Sequence, residues 1–469
     1  MVLLMKKFTG ILIFICLFFN NIAVGETRDN LLKFNEWLSD NNYDQYLDKN
    51  KLTEIPDKSI CNRNVTQYCV DQDGARIPND QLPQKKIYNN ILNLKISKKK
   101  WTLPEEAKPN LDTLIYYFYK YQESHKVQDS GSYQWDNYET KPSGQYYKFK
   151  SNLKEDEYLK KQMQKTALLS YLLYEDGKIT VDEISPKNQF GNFVNNETKV
   201  RSMSIGKTMV SYVMGHAICR GHIDGVDSKL NDWPLIKNTL YENQKIIDLL
   251  NMAAGDQKYV NRSNFKNGGG VDTLTISKIM TTKMSNSKKS KSKYNYNALV
   301  PHLLLNYIAY KSDNFEKLLE DIFHNEAQIE HSVLFFKHPM KGYTNGIVNS
   351  MFFATRYDYL RIAKSMLNDW QNDTCMGKYL KTLYENKIPK GNFDQGFYNR
   401  DSFMGTKKYA GFFHTSYSGM RKRPVMGMSG YGCHDIIIDF DRSRIVAIHA
   451  MHCNYNWSKI AHSVILKGK

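Results

Sequence analysis

Beyond residue 25 the 469-residue chain contains no apolar run long enough to cross a bilayer, so no transmembrane helix is expected there. It has no internal repeat, which excludes a solenoid or propeller of stacked units. It has no acidic surplus: 65 Lys and Arg outnumber 48 Asp and Glu, for a formal charge of +17. The basic excess is not arranged for nucleic acid. Its one dense run, KMSNSKKSKSK from Lys283 to Lys293, is Ser-rich and reads as a solvated loop, and no nucleic-acid partner is expected. The excess does suit an anionic envelope surface as a partner. Hydrophobic content of 41% and charged content of 24% are those of a soluble globular protein.

The one long apolar run stands at the start. MVLLMKKFTGILIFICLFFNNIAVGETRDN sets Lys6 and Lys7 before an apolar stretch from about Phe8 to Phe19 and closes on Ala23-Val24-Gly25. That is the layout of a secretory signal peptide over residues 1–25. The apolar stretch is shorter than the ~20 residues of a membrane span. Cys16 follows no small residue and does not read as a lipid-attachment site. Export, to the periplasm or the medium, is the expected localisation.

Six cysteines remain in the processed chain, enough for three disulfides in fifteen possible pairings. Cys433 and Cys453 flank two β-like runs, HDIIIDF and RIVAIHAMH, joined by Asp441-Arg442-Ser443. Antiparallel folding brings these two cysteines near register, so they are the preferred pair, with Cys61 and Cys69 second.

Residues 26–150 are polar, aromatic and weakly patterned. Asn110 to Gln122 (NLDTLIYYFYKYQ) reads as a helix and Asp129 to Gly144 as loop, and no role is assigned to the region. From Thr166 the texture changes. TALLSYLLYEDGKITVDEI reads as two strands about a Glu175-Asp176-Gly177 turn. Helices are expected at Glu242 to Met252, Leu299 to Tyr310, Asn314 to Phe323, Ala354 to Asn368 and Trp457 to Leu466. Strands return from Tyr409 to the end of RIVAIHA. An α+β domain over residues 151–469 follows: one antiparallel sheet built from both ends of the domain, with an inserted helical lobe.

Between the first strands and the helices lies VRSMSIGKTMVSYVMGHAICRGHIDGVDSKL, residues 200–230. Ile205, Met209, Val210, Tyr212, Val213, Ala217 and Ile218 recur at helical spacing and Gly221 ends the run. Ser204 heads this helix, and Lys207, close to one turn on, can share its face. The Ser-x-x-Lys spacing is worthless by itself, since Ser97/Lys100, Ser151/Lys154, Ser285/Lys288 and Ser290/Lys293 repeat it. The setting separates Ser204 from these rivals. A helix start favours negative charge on a developing alkoxide, and a buried lysine there loses charged-form stability and becomes a usable base.

Four stretches in order, RSMSIGKTMVSYVMGHAICRGHIDGVDSKL, IDLLNMAAG, YNYNALVPHLLL and SGYGCHDIIIDFDRSRIVAIHA, resemble the serine β-lactamase-related superfamily. The resemblance is to the branch holding class C β-lactamases, D-alanyl-D-alanine carboxypeptidases, esterases and aminohexanoate-oligomer hydrolases, and it covers about residues 165–469. It implies the β-lactamase/transpeptidase-like fold, with Ser204 as nucleophile and Lys207 as the paired lysine. Tyr296, in the Tyr296-Asn297-Ala298 match to Tyr-x-Asn, becomes the proton shuttle, with Tyr294 its competitor.

The family's Lys/His-Thr/Ser-Gly strand maps onto Met428-Ser429-Gly430, and the backbone N–H groups of Ser204 and Tyr431 then form the oxyanion hole. Two positions depart from the pattern. Ala298 lacks a side-chain amide, and Met428 lacks the cation that receives a substrate carboxylate, unless Arg421, Lys422 or Arg423 supplies one. The resemblance therefore implies an exported serine hydrolase of an ester, small amide or short peptide-like substrate. A penicillin-binding carboxypeptidase or β-lactamase, and an inactive envelope-binding descendant, are the alternatives. His414, His434, His449 and His452 with Cys433 and Cys453 invite a metal reading. However, His449 and His452, three apart on a strand, point to opposite faces, and neither metal nor cofactor is expected.

Overall fold

The computed structural model describes residues 137–467 apart from 188–189, 192–193, 272–273, 338–347, 392–404, 452 and 454, together with three short strands before them. The expected signal segment and the helix expected at Asn110 to Gln122 lie outside the described residues. The chain divides into two units. One comprises Met1–Trp135 and Pro186–Asn195. Its strands Ile60–Asn62, Tyr68–Val70 and Arg76–Ile77 form an antiparallel sheet in which Cys61 stands opposite Cys69.

The other unit, Asp136–Ser185 and Asn196–Lys469, is α+β. Its main sheet has nine strands. In spatial order they are Ile388–Pro389, Thr406–Ala410, Phe413–Tyr417, Val425–Gly430, His434–Asp439, Arg444–Ala450, Leu168–Glu175, Lys178–Ile184 and Lys150–Ser151. All neighbours are antiparallel except the last pair. The join between the two ends of the domain is the ladder of Arg444–Ala450 on Leu168–Glu175, with Val446 opposite Leu173 and Ile448 opposite Tyr171. Both strands are buried nearly throughout, which explains their continuous apolar runs.

Alternate residues feed two cores. Met426, Met428, Ile436, Ile438, Ile445 and Ala447 join the core that holds the helices, while Val425, Ile437, Val446, Leu173 and Tyr171 pack beneath Trp457, Ile460 and Ile465 at the C-terminus.

A second, four-stranded sheet corrects the expectation of a purely helical middle. Asn137–Thr140, Val333–Lys337, Val348–Thr355 and Lys199–Arg201 pair antiparallel in that order. The first of these strands lies where loop was expected. Short apolar runs such as VLFF are ambiguous between strand and buried helix until a partner strand is known. The helix expected from Ala354 begins instead at Arg356, because Thr355 ends the strand and its hydroxyl accepts the Asp358 N–H as an N-cap.

Helix Leu299–Lys311 lies where expected, helix Cys375–Glu385 was not expected, and the helix expected at Glu242 to Met252 shrinks to Ile246–Leu250. Arg356, at the start of the Arg356–Gln371 helix, ties it to the main sheet through Asp182 at 2.6 Å and the Tyr171 and Glu183 carbonyls. No described helix is long and apolar enough to cross a membrane.

Two disulfides join described residues. Cys433–Cys453, with Cα atoms 5.1 Å apart, is the pair the hairpin register suggested. Cys219–Cys375, Cα atoms 5.8 Å apart, ties the end of the Ile205–Cys219 helix to the start of Cys375–Glu385 across 156 residues. Closing so long a loop restricts the unfolded chain strongly, so replacing both cysteines by serine is expected to cost about 2–4 kcal/mol in denaturant unfolding. Equal stability of the two forms would show that the helix packing alone holds this corner.

Buried histidines contribute to the acid limb of stability, His216 and His449 among them. Burial, with Arg220 beside it, pushes His216 down to about 3 from its ordinary 6.5. His449 is held well below its usual value by burial, then by His434 and Arg356. Both folded values are lowered, so the unfolded chain binds the extra protons. Their contribution to stability is therefore complete above pH 6.5 and is lost as pH drops from there towards 3. Urea midpoints at pH 8, 6 and 4 are expected to fall mainly below 6.5, and a flat series would contradict the buried neutral state.

Candidate active site

The strand Lys199–Arg201 runs straight into the turn before Ser204. Ser202 still pairs with the facing strand, its N–H on the Phe352 carbonyl at 2.7 Å and its Oγ accepting the Phe352 N–H at 2.9 Å. Met203 then takes the left-handed conformation, φ 48°, which reverses the chain within one residue. For a non-glycine residue this stores about 1–3 kcal/mol of strain. Ser204 follows as the N-cap residue of the Ile205–Cys219 helix, and its side chain caps nothing. Its backbone N–H has no acceptor among the described residues.

Every residue from Ile205 to Ala217 is buried, including Lys207 at 9% exposure. The helix approaches the second sheet closely enough that a Cβ on Gly206 would lie 1.9 Å from the Ser350 carbonyl oxygen. Only glycine allows that contact. Lys207 Nζ donates to Ser204 Oγ at 3.0 Å. It also sits 4.9 Å from the centre of the Tyr296 ring, a cation–π distance. The Ser-x-x-Lys pair and the tyrosine of the Tyr-Asn-Tyr-Asn stretch thus meet in space. Of the two candidate tyrosines it is Tyr296, half-buried like Ser204, that lies against Lys207. Tyr294 is buried behind it, 6.5 Å from the Tyr296 ring and 5.0 Å from Tyr409.

Sequence reasoning missed what holds Tyr296 in place. Asp256, fully buried, accepts from Asn295 Nδ2 at 2.7 Å on one carboxylate oxygen. Its other oxygen accepts from Asn297 Nδ2 at 3.1 Å and the Tyr241 hydroxyl at 3.0 Å. Burial raises the Asp256 carboxyl above its usual range, against these three hydrogen bonds. Asn297 Oδ1 in turn accepts the Val300 N–H at 3.0 Å and caps the Leu299–Lys311 helix, the service that Ala298, its N-cap residue, does not perform. Both asparagines flanking Tyr296 are therefore tied to one carboxylate. The alternation Tyr294-Asn295-Tyr296-Asn297 put two amides beside the tyrosine that would need acceptors if buried, but nothing in it named Asp256.

On the far side of the site, Met428-Ser429-Gly430 forms the end of a main-sheet strand. A Cβ on Gly430 would lie 2.7 Å from the Ser202 carbonyl oxygen and 3.2 Å from Met203 Cβ, so this strand end presses on the Ser202–Met203 turn. Tyr431, next in sequence, is 56% exposed. Met428 is fully buried in the core that contains Ile205 and Met209, so an apolar side chain occupies the position where the resemblance expects a cation. Arg423 does not replace it, being paired with Asp439 at 2.9 Å and with the Ile465 carbonyl, and Arg421 and Lys422 are exposed.

A second group, also missed, borders the tyrosines. Tyr409 lies 6.4 Å from Tyr296 and 5.1 Å from His414, ring to ring. His414 Nδ1 is 3.4 Å from Nζ of the buried Lys390. Burial, then Lys390 and Lys207, hold His414 well below its usual value, so it is a neutral imidazole. Of the other histidines considered for a metal, His434 and His449 face each other at 3.4 Å, Cys433 and Cys453 are consumed in their disulfide, and His452 lies outside the described residues.

No family model matches the chain, and no curated protein matches it by sequence. Among solved structures it is similar to a "Putative 6-aminohexanoate-dimer hydrolase from Bacillus anthracis", with a TM-score of 0.51 at 11% identity over 77% of this chain and 94% of that one. It is also similar to a class C β-lactamase from Rhodobacter sphaeroides, TM-score 0.46 at 12% identity, over 64% and 94% of the two chains. A penicillin-binding protein from Bacillus halodurans gives a TM-score of 0.43 at 13% identity over 63% and 96%. The likeness is one of fold: the chain has a β-lactamase/transpeptidase-like fold.

Asp256→Asn offers one acceptor oxygen to three donors and turns an amide towards them. The protein is expected to fold, since a buried charge is removed along with the hydrogen bonds. Acylation of Ser204 is expected to slow about a hundredfold through displacement of Tyr296. Labelling rates with a fluorophosphonate ester check this, and an unchanged rate would show that the loop holds Tyr296 without the carboxylate.

Proposed function

We propose that the chain is an exported serine hydrolase that cleaves an ester or a small amide through an acyl-enzyme on Ser204. The observation that carries this is the 3.0 Å contact between Lys207 Nζ and Ser204 Oγ at the start of a helix buried on every side. A lysine is not sequestered among apolar side chains to make one solvated hydrogen bond. It needs a function or a strong partner there, and its partners are a half-buried serine and the face of Tyr296.

In the proposed mechanism Ser204 Oγ attacks the substrate carbonyl carbon. Its proton passes to the Lys207–Tyr296 pair, and the Tyr296 phenol returns a proton to the leaving alcohol or amine as the C–O or C–N bond breaks. The negative oxygen of the tetrahedral intermediate lies between the backbone N–H groups of Ser204 and Tyr431, each worth ~3 kcal/mol in such a hole. The unengaged Ser204 N–H and the closeness of Gly430 to the Ser202–Met203 turn support this placement. Water, activated by the same pair, then attacks the ester carbon and releases the acid. The two disulfides support export, since such bonds persist in oxidising compartments.

Met428 favours one branch over the other. With a buried thioether in place of a cation, nothing at that point receives the carboxylate of a penicillin or of a D-alanyl terminus, which favours esters and amides without one.

Incubation with a fluorophosphonate ester and peptide mapping is expected to place the label on Ser204. In Lys207→Ala the labelling rate is expected to fall by about two to four orders of magnitude. Penicillin is expected to compete poorly. Strong penicillin acylation would move the enzyme to the carboxypeptidase or β-lactamase branch, and a folded protein that takes no label would leave a binding descendant.

A further inference from the structure

The positive charge of the chain is concentrated beside Tyr296. Residues 257–298 hold nine Lys and Arg against a single acidic residue, Asp272, so this stretch supplies +8 of the formal +17. Its two halves form one surface. The Lys266 N–H donates to the Tyr259 carbonyl at 2.8 Å, the Lys288 N–H to the Tyr259 hydroxyl at 2.9 Å, and the Gln257 side chain to the Lys291 carbonyl at 3.0 Å. Arg262 joins that surface to the site: its N–H donates to the Tyr296 carbonyl at 3.2 Å, and its own carbonyl accepts from Ala298 at 2.7 Å.

Lys258, Lys266, Lys288, Lys291 and Lys293 are exposed, and none makes an ion pair among the described residues. Lys245 and Lys317, also exposed, are paired, with Asp227 and Asp321, while Lys178, Lys237 and Lys407 stand singly elsewhere on the surface; what sets this stretch apart is the density of its cations. Clustered unpaired cations repel one another, so the fold gains nothing from them, and their field reaches outward over the half-exposed Tyr296.

We infer that this face binds an acidic polymer and that the group cleaved at Ser204 is carried on, or flanked by, clustered phosphates or carboxylates. The inference rests on the hydrolytic function proposed above and names its substrate class. It also accounts for a site whose interior has lost a cation at Met428 while its rim has gathered many.

The side chains on this face decide which polyanion. The exposed large hydrophobic residues among those described are Leu153, Tyr310, Tyr431 and Leu466, none of them in this stretch, and its Phe265 and Tyr294 are buried. Reading single-stranded nucleic acid needs open rings for stacking, and a membrane-surface element needs apolar side chains to insert. Its Tyr259 and Tyr296 rings are half-buried while its lysines stand open, which suits a flexible, highly charged chain without bases or lipid tails.

The test uses the full-length processed protein and a variant carrying Lys258→Gln, Lys266→Gln, Lys288→Gln and Lys291→Gln, with long-chain inorganic polyphosphate as the probe. Wild-type protein is expected to bind polyphosphate with an affinity that falls steeply with salt. The variant is expected to bind at least about tenfold more weakly with a shallower salt dependence. Fluorophosphonate labelling of Ser204 should match in the two proteins within about twofold, because none of the four side chains reaches the reacting atoms.

Equal or salt-independent binding by both proteins overturns the inference. Tighter binding to single-stranded DNA than to polyphosphate, or binding to anionic vesicles without binding to polyphosphate, overturns it in favour of nucleic acid or membrane. Polyphosphate binding by a protein that takes no label at Ser204 sinks the hydrolytic function while leaving the surface assignment standing.

Discussion

The helix Ile205–Cys219 is buried on every face through its first thirteen residues, and the remainder of the domain is arranged to make that burial possible. The main sheet, the second sheet and the helices Leu299–Lys311 and Cys375–Glu385 contribute to the core around it. A helix in that position has no solvent-facing stripe on which to place a charge. Lys207 can be accommodated only where the core opens, at the Ser204 end, where a hydroxyl and the face of Tyr296 receive its amino group. The same constraint explains Gly206, since a helix enclosed by two sheets must let one of them come to backbone contact.

Two further elements close on that opening from opposite sides, and each is held by a different kind of force. The Tyr294–Asn297 loop is fixed by hydrogen bonds, its two asparagines sharing the buried carboxylate of Asp256. The Val425–Gly430 strand is fixed by its ladder with His434–Asp439 and by the absence of a side chain at Gly430, which lets it press on the Ser202–Met203 turn. Polar precision on one side and steric closeness on the other leave Ser204 at the mouth with its amide unengaged. Inside this frame Met428 is apolar and Lys390 with His414 lies beyond Tyr409, so charge is distributed differently from the pattern that the four sequence stretches resemble.

Much of the domain was legible residue by residue. The strands at Leu168–Glu175 and Lys178–Ile184, the C-terminal hairpin with its Cys433–Cys453 bond, and the helix after Ser204 follow from local pattern and turn chemistry. The second sheet was not legible, because its four strands come from widely separated parts of the chain and two are three or four residues long. The Cys219–Cys375 bond was not legible either. It depends on how two helices 156 residues apart dock, and six cysteines permit fifteen pairings.

The sequence by itself determined the class of the domain, the order of its motifs and the residue types available for chemistry: a serine and a lysine one turn apart, a tyrosine among asparagines, and a strand ending in glycine. Periodicity and turn residues act over a few positions, so they can be read without a structure. The tertiary structure alone decided which tyrosine meets Lys207, which carboxylate anchors its loop, that Met428 is sealed into the core, and that the Ser-rich lysine stretch lies against Gln257 and Tyr259. Those are facts of distance between residues remote in sequence, set by packing, and no local pattern encodes them.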